Sequence, residues 1–166
     1  MVTITQATFA DIKIIQDIAY QTWPLAYGEI LSKEQLDYML GAFYNDETIK
    51  DSITNKGNHF ILAKENENVL GFASYEHHYD QKQQTKIHKI YLLPETQGKG
   101  IGKKLIDFIA VTAKENGSAS LLLNVNRFNK ALFFYQKLGF EIISEIDIEI
   151  GNGYLMEDYV LEKQLN

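Results

Sequence analysis

The chain has no cysteine, two prolines and a single arginine, Arg127, in 166 residues. Without cysteine there is no disulfide, no thiolate metal site and no cysteine nucleophile. Scarce arginine and a net charge of −6 leave no basic face for nucleic acid, so that class of partner is not expected. An acidic protein is better matched to a cationic or neutral substrate. No apolar run is long enough to span a bilayer, and Met1 is not followed by a basic and then apolar signal. A cytoplasmic protein that binds no membrane is expected from those missing signals. Adjacent His77 and His78 are read as neighbours in a strand, on opposite faces, which rules out joint chelation of one metal. No metal site is therefore expected.

What is present suits a packed globule: hydrophobic residues make up 45% of the chain and aromatics 12%, enough for one domain over residues 1–166. Its most informative stretch is Ile87 to Lys104, I-H-K-I-Y-L-L-P-E-T-Q-G-K-G-I-G-K-K. An apolar strand stops at Pro94, a glycine-dense turn follows, and an amphipathic helix begins. Gly98, Gly100 and Gly102 lack a Cβ, so backbone amides there can approach a ligand closely. A helix mouth offers orphan N–H groups and the positive end of its dipole to an anion. Together they predict a pyrophosphate cradle, with Lys99, Lys103 and Lys104 at its rim. The spacing fits neither the P-loop nor the dinucleotide-binding glycine pattern.

Around this stretch the periodicity changes along the chain. Residues 2–7 alternate as a strand. Asp11 is expected to cap a helix carrying Ile12, Ile15, Ile18 and Ala19 that ends before Pro24. Ser32 and Gln35 form a capping box for a helix through Leu36, Met39 and Leu40, and a third helix is expected from Asp46 to Ile53. Strands are predicted at His59–Lys64, Val69–Tyr79 and Thr85–Leu93. The helix after the glycine turn places Leu105, Phe108, Ile109 and Thr112 on one face. Ser120–Val125 reads as a strand buried on both faces, parallel to the one before that helix. A helix over Asn129–Leu138 and a hairpin of 145–150 with Tyr154–Leu161 complete a mixed α/β order.

Gln97, Gly100 and Gly102 form Q-x-x-G-x-G, and residues 129–140 read N-K-A-L-F-F-Y-Q-K-L-G-F. In this order, with a strand between, the two segments resemble the acetyl-CoA loop and the N-x-x-A-x-x-x-Y-x-K-x-G-F helix of the GNAT N-acetyltransferase superfamily. The resemblance covers nearly the whole chain. It implies a single-domain GNAT fold: an α/β, mostly antiparallel mixed sheet with a parallel, splayed central strand pair, flanked by helices. It implies acetyl-CoA as cosubstrate, held by Gln97, Gly98, Lys99, Gly100, Ile101, Gly102 and Lys103 and by backbone around Leu92. Asn129 lies one position closer to Ala131 than in the common family form, so Asn126 or Asn129 fills the asparagine role near the cofactor.

By the same resemblance Tyr135 is the general acid that protonates the departing thiolate. His88, read as sharing strand parity with Ile90 and Leu92, is the expected base, with Glu76 as its rival and ordered water as a third route. With no cysteine, transfer is expected to be direct, in a ternary complex. Acceptor residues are expected from the first two helices, where Trp23, Tyr27, Glu29, Tyr38 and Tyr44 lie. That segment loosely resembles bacterial GNAT enzymes that acetylate spermidine and spermine, and aromatic faces with a carboxylate suit a polyamine. An aminoglycoside, a protein N-terminal or lysine amine, or a non-catalytic acyl-CoA sensor are the other readings. The resemblance also allows a homodimer.

Overall fold

The computed structural model describes residues 1–166. Its strands are β1 (Val2–Gln6), β2 (Asn58–Glu65), β3 (Asn68–Glu76), β4 (Gln84–Leu92), β5 (Ser120–Asn126), β6 (Glu141–Glu149) and β7 (Leu155–Gln164). Its helices are α1 (Ile12–Tyr27), α2 (Lys33–Phe43), α3 (Asp46–Thr54), α4 (Ile101–Glu115) and α5 (Ala131–Lys137). All seven strands join one sheet in the order β1-β2-β3-β4-β5-β7-β6. Every neighbouring pair is antiparallel except β4 and β5, which run parallel with α4 as their crossover. No helix is long and apolar enough to cross a membrane.

Strand alternation sends side chains to two cores, one on each face of the sheet. On one face Phe60, Leu62 and Phe72 pack against Ile15, Ile18 and Trp23 of α1 and Met39 and Leu40 of α2. On the other, Ile61, Ala63 and Ala73 meet Leu105, Ile106 and Ile109 of α4, with Tyr135 and Phe140 alongside. β5 gives Leu121, Leu123 and Val125 to the α4-side core and is buried almost throughout, as its unbroken apolar run predicts. The buried line of α4 differs from the predicted one in one respect. Ile106 and Ala113 lie inside while Phe108 is exposed, because the stripe falls one step round the helix.

Four local expectations need correction. α1 runs through Pro24 to Tyr27: both Pro24 and Tyr20, whose carbonyl loses its donor, lie on the solvent side. Asp11 does not cap α1; its carboxylate accepts the Thr8 N–H at 2.8 Å across a preceding 3-10 turn. The capping box of α2 is half formed. Ser32 Oγ accepts the Gln35 N–H at 3.1 Å, but the Gln35 amide instead donates to the Leu155 carbonyl at 2.8 Å. Finally, β3 ends at Glu76, so His77 and His78 lie in a turn, where His78 takes a left-handed φ of 53°.

Candidate active site

The glycine loop folds as a set of vacant donors. Gly98 and Gly100 have φ of +80° and +72°, the left-handed region that favours glycine, and a Cβ on either would point into open space. Within and beside the loop, the N–H groups of Gln97, Lys99 and Lys104 find acceptors at Pro94, Thr96 and Gly100. Those of Gly98, Gly100, Ile101, Gly102 and Lys103 have no acceptor in the protein. They collect where α4 begins, so their dipoles and that of the helix act together on an anion. Lys99 and Lys104 carry unpaired charge beside them, whereas Lys103 is paired with Asp107 at 2.6 Å. This cradle fits a pyrophosphate. Gly102 has a further role: a Cβ there would lie 2.9 Å from Phe134 and 3.3 Å from Leu92, so its absence lets α4 approach α5 and β4.

Next to the cradle the sheet opens. β4 and β5 pair only from Gln84↔Ser120 to Ile87↔Leu123, and beyond that the strands splay. The edge of β4 after Ile87 is therefore free to pair with something other than β5. A cleft of about 850 Å³ fills the gap, walled by β4 from Ile87 to Leu92, by Leu123, Asn124 and Val125 of β5, and by parts of α1 and α5. Leu92, Gln97, Gly102, His88, Asn129, Tyr27, Glu29 and Tyr135 all line it. Trp23, Glu76 and Asn126 do not.

His88 reaches this wall by a different route from the one expected. Ser74 pairs with Lys89 but its neighbour Tyr75 pairs with Ile87, so His88 is the extra residue of a β-bulge. The bulge breaks strand parity: Ile87 and Ile90 both pack in the α4-side core, and His88 does not share their face. Its Nε2 instead meets Glu76 Oε1 at 2.9 Å. The two rival bases are thus one pair. A carboxylate can only accept, so Nε2 carries the proton and Nδ1 the free lone pair. Desolvation in the wall lowers the His88 pKa from its ordinary value, with Lys89 and Lys86 adding to that and Glu76 opposing it.

Tyr135 is 7% exposed, lines the cleft, and its hydroxyl has no hydrogen-bond partner in the protein. Burial, with the Tyr27 phenol nearby, pushes its pKa up and keeps the proton on oxygen. Tyr27 and Tyr91 join hydroxyls at 3.0 Å in the same wall. The other aromatics of the first helices are mostly core: Trp23 and Tyr44 are 4% and 1% exposed and stack edge-on at 5.6 Å. Glu29 stands exposed at the rim. Of the two asparagines, each side-chain oxygen accepts an N–H two residues on, Asn126 from Phe128 and Asn129 from Ala131, both at 2.9 Å. These turns shape the entry to α5, and only Asn129 also reaches the cleft.

Several groups here were missed by sequence reasoning. Lys86 is buried and donates to Asn124 Oδ1 at 2.6 Å. Asp158 is buried with one oxygen unpartnered, and desolvation raises its pKa. Lys89, also on the wall, has its ammonium 5.4 Å over the Tyr44 ring. A lysine between Ile87-His88 and the apolar run Ile90-Tyr91-Leu92 was the available signal for Lys89; nothing local marks Asp158.

Comparison with known proteins agrees with this geometry. A family model described as the acetyltransferase (GNAT) family matches residues 14–140. An uncharacterized N-acetyltransferase of Bacillus subtilis, YuaI, is 29% identical over 163 residues, covering 95% of this chain and 90% of the relative. A spermidine N(1)-acetyltransferase of Thermoplasma acidophilum is 25% identical over 161 residues, covering 94% of this chain and 96% of its own. Among solved structures, the PaiA N-acetyltransferase of Thermoplasma acidophilum in complex with coenzyme A superposes with a TM-score of 0.81 at 25% identity, covering 99% of each chain.

Proposed function

We propose that this chain, which belongs to the acetyltransferase (GNAT) family, transfers the acetyl group of acetyl-CoA directly to the primary amine of a small molecule in the cleft between β4 and β5. The observation that carries this reading is the convergence of three parts on one gap. The glycine loop borders it at Gln97 and Gly102, the His88–Glu76 pair reaches it through His88, and Tyr135 lines it with its hydroxyl unpartnered.

Acetyl-CoA supplies a thioester carbonyl open to attack and a thiol as leaving group. The amides of Gly98, Gly100, Ile101, Gly102 and Lys103, with Lys99 and Lys104, hold its pyrophosphate, and Gln97 and Asn129 border the same entrance. The open edge of β4 offers backbone donors and acceptors to the arm that follows. An amine of ordinary basicity is protonated at neutral pH, and His88 Nδ1 accepts its proton while Glu76 fixes the imidazole's tautomer. Tyr135 donates its proton to the departing sulfur. No cysteine exists to carry the acetyl group as an enzyme thioester, so the amine attacks the thioester of acetyl-CoA directly. One domain spanning residues 1–166 contains all of these parts.

For the acceptor, the polyamine reading is supported by the likeness to the spermidine N(1)-acetyltransferase of Thermoplasma acidophilum. The aromatic cage expected to favour it is largely closed: Trp23 and Tyr44 are core residues, and the cation over Tyr44 is the protein's own Lys89. The test is incubation of the purified chain with acetyl-CoA and a panel of amines, with products read by mass spectrometry. A product heavier by one acetyl group supports the reading. Coenzyme A binding with no acetylated amine from any class contradicts it.

A further inference from the structure

The bulge at His88 frees two consecutive side chains from the α4-side core, since Ile87 and Ile90 on either side both pack there. One is the histidine that pairs with Glu76. The other is Lys89, and its situation is unusual for a lysine. It lines the cleft, is largely covered, and has neither a carboxylate at ion-pair distance nor any hydrogen bond. Its ammonium lies over the face of Tyr44, 5.4 Å away, and the one other charge acting on it is the like charge of Lys56. A covered cation is retained when something pays for its desolvation, and no anion of this protein does so.

The rest of the wall points the same way. Its charged residues are Lys89, Lys130, His88 and one acid, Glu29, which is exposed at the rim. Glu76 is engaged with His88, and Asp158 stands outside the wall beside Asn124 and Lys86. Although the whole chain carries a charge of −6, this cleft does not. A polycation threading it would meet Lys89 as a like charge, which opposes binding.

We propose that Lys89 binds a carboxylate of the acceptor, so that the amine acetylated here belongs to an amino acid or a similarly compact amino-carboxylate. This rests on the transferase reading above and deepens it. Proton acceptor and cation come from adjacent residues of β4 that line the same cleft. That suits a molecule whose amine and carboxylate are also close together. Burial draws the Lys89 amine down to about 8, so it remains mostly cationic at neutral pH and gains from an incoming anion.

The test compares L-amino acids with their own carboxamides, and with spermidine, as acceptors for the full chain and acetyl-CoA, with rates expressed per free amine. Each carboxamide keeps the side chain and amine and removes only the anion. The expected result is a kcat/KM for the acids at least about 10-fold above that for the amides, as befits a charged hydrogen bond. Lys89→Met should bring acid and amide to near equality, chiefly through KM, while coenzyme A still stabilises the protein. Equal or better use of amides or spermidine by the wild type overturns the proposal, as does an acid preference that survives Lys89→Met. If that variant does not fold, the wild-type comparison decides alone. Failure to acetylate any amine while coenzyme A binds instead overturns the transferase reading, and this proposal with it.

Discussion

Glu76 and His88 lie on adjacent strands and meet at 2.9 Å because a bulge at His88 turns its ring away from the core that takes Ile87 and Ile90. The pairing makes one functional unit from what the sequence offers as two competing bases. It also fixes which imidazole nitrogen is free.

The pH profile of kcat/KM follows from this pair. The groups facing His88 are Glu76 on β3, Lys86 and Lys89 on β4, and the Tyr79 ring at 5.8 Å. Desolvation dominates and lowers the histidine's pKa, so its neutral, proton-accepting form persists further into acid than an ordinary histidine's. With a model amine of low pKa, the rate should rise with pH to a plateau, with its midpoint below about 6.5. His88→Gln should lose that limb and much of the rate. Glu76→Gln should keep the limb and move it to lower pH, because the bond that raises the histidine's pKa is weakened. An unchanged profile in His88→Gln would pass the proton to water.

The glycine cradle is tested by separating strain from blockage. Gly100→Val places a β-branched side chain at φ +72° and crowds the vacant amides, so coenzyme A should no longer raise the melting temperature. Gly57→Val imposes the same kind of strain at φ +68°, in the turn between α3 and β2. It should lose about 1–2 kcal/mol of stability yet retain the full coenzyme A shift. Equal shifts in both variants would remove the loop from the cosubstrate site.

Trp23 was expected at the acceptor, and the structure places it in the core between α1, α2 and the sheet. Trp23→Ala should cost about 3–5 kcal/mol in denaturant unfolding. A variant of full stability with a raised acceptor KM would instead return Trp23 to the acceptor site.

The parts legible in the sequence are those whose reasons are local. Glycines before a helix, an apolar strand ended by Pro94, and the unbroken run of β5 each encode their own geometry. The parallel β4–β5 pair follows from the helix between them. The bulge was not legible, because period-two parity assumes an unbroken ladder, and the residues that decide otherwise lie on β3. The same holds for the aromatic residues of α1 and α2. Composition marks Trp23, Tyr27 and Tyr44 as ring-bearing, but only packing shows that Tyr27 faces the cleft while Trp23 and Tyr44 do not. Lys89 escaped notice for a related reason, since what distinguishes it is a missing partner.

Tyr135 offers the most direct test of the central claim, that acetyl transfer to an amine occurs in the β4–β5 cleft with a protein phenol as acid. Tyr135→Phe keeps the ring packed against Phe140 and removes one unpartnered hydroxyl. The measurement is kcat for formation of the acetylated amine, in parallel with the coenzyme A thermal shift. The account predicts a fall in kcat of about 10²-fold with the shift unchanged. A Tyr135→Phe enzyme as fast as the wild type would contradict it.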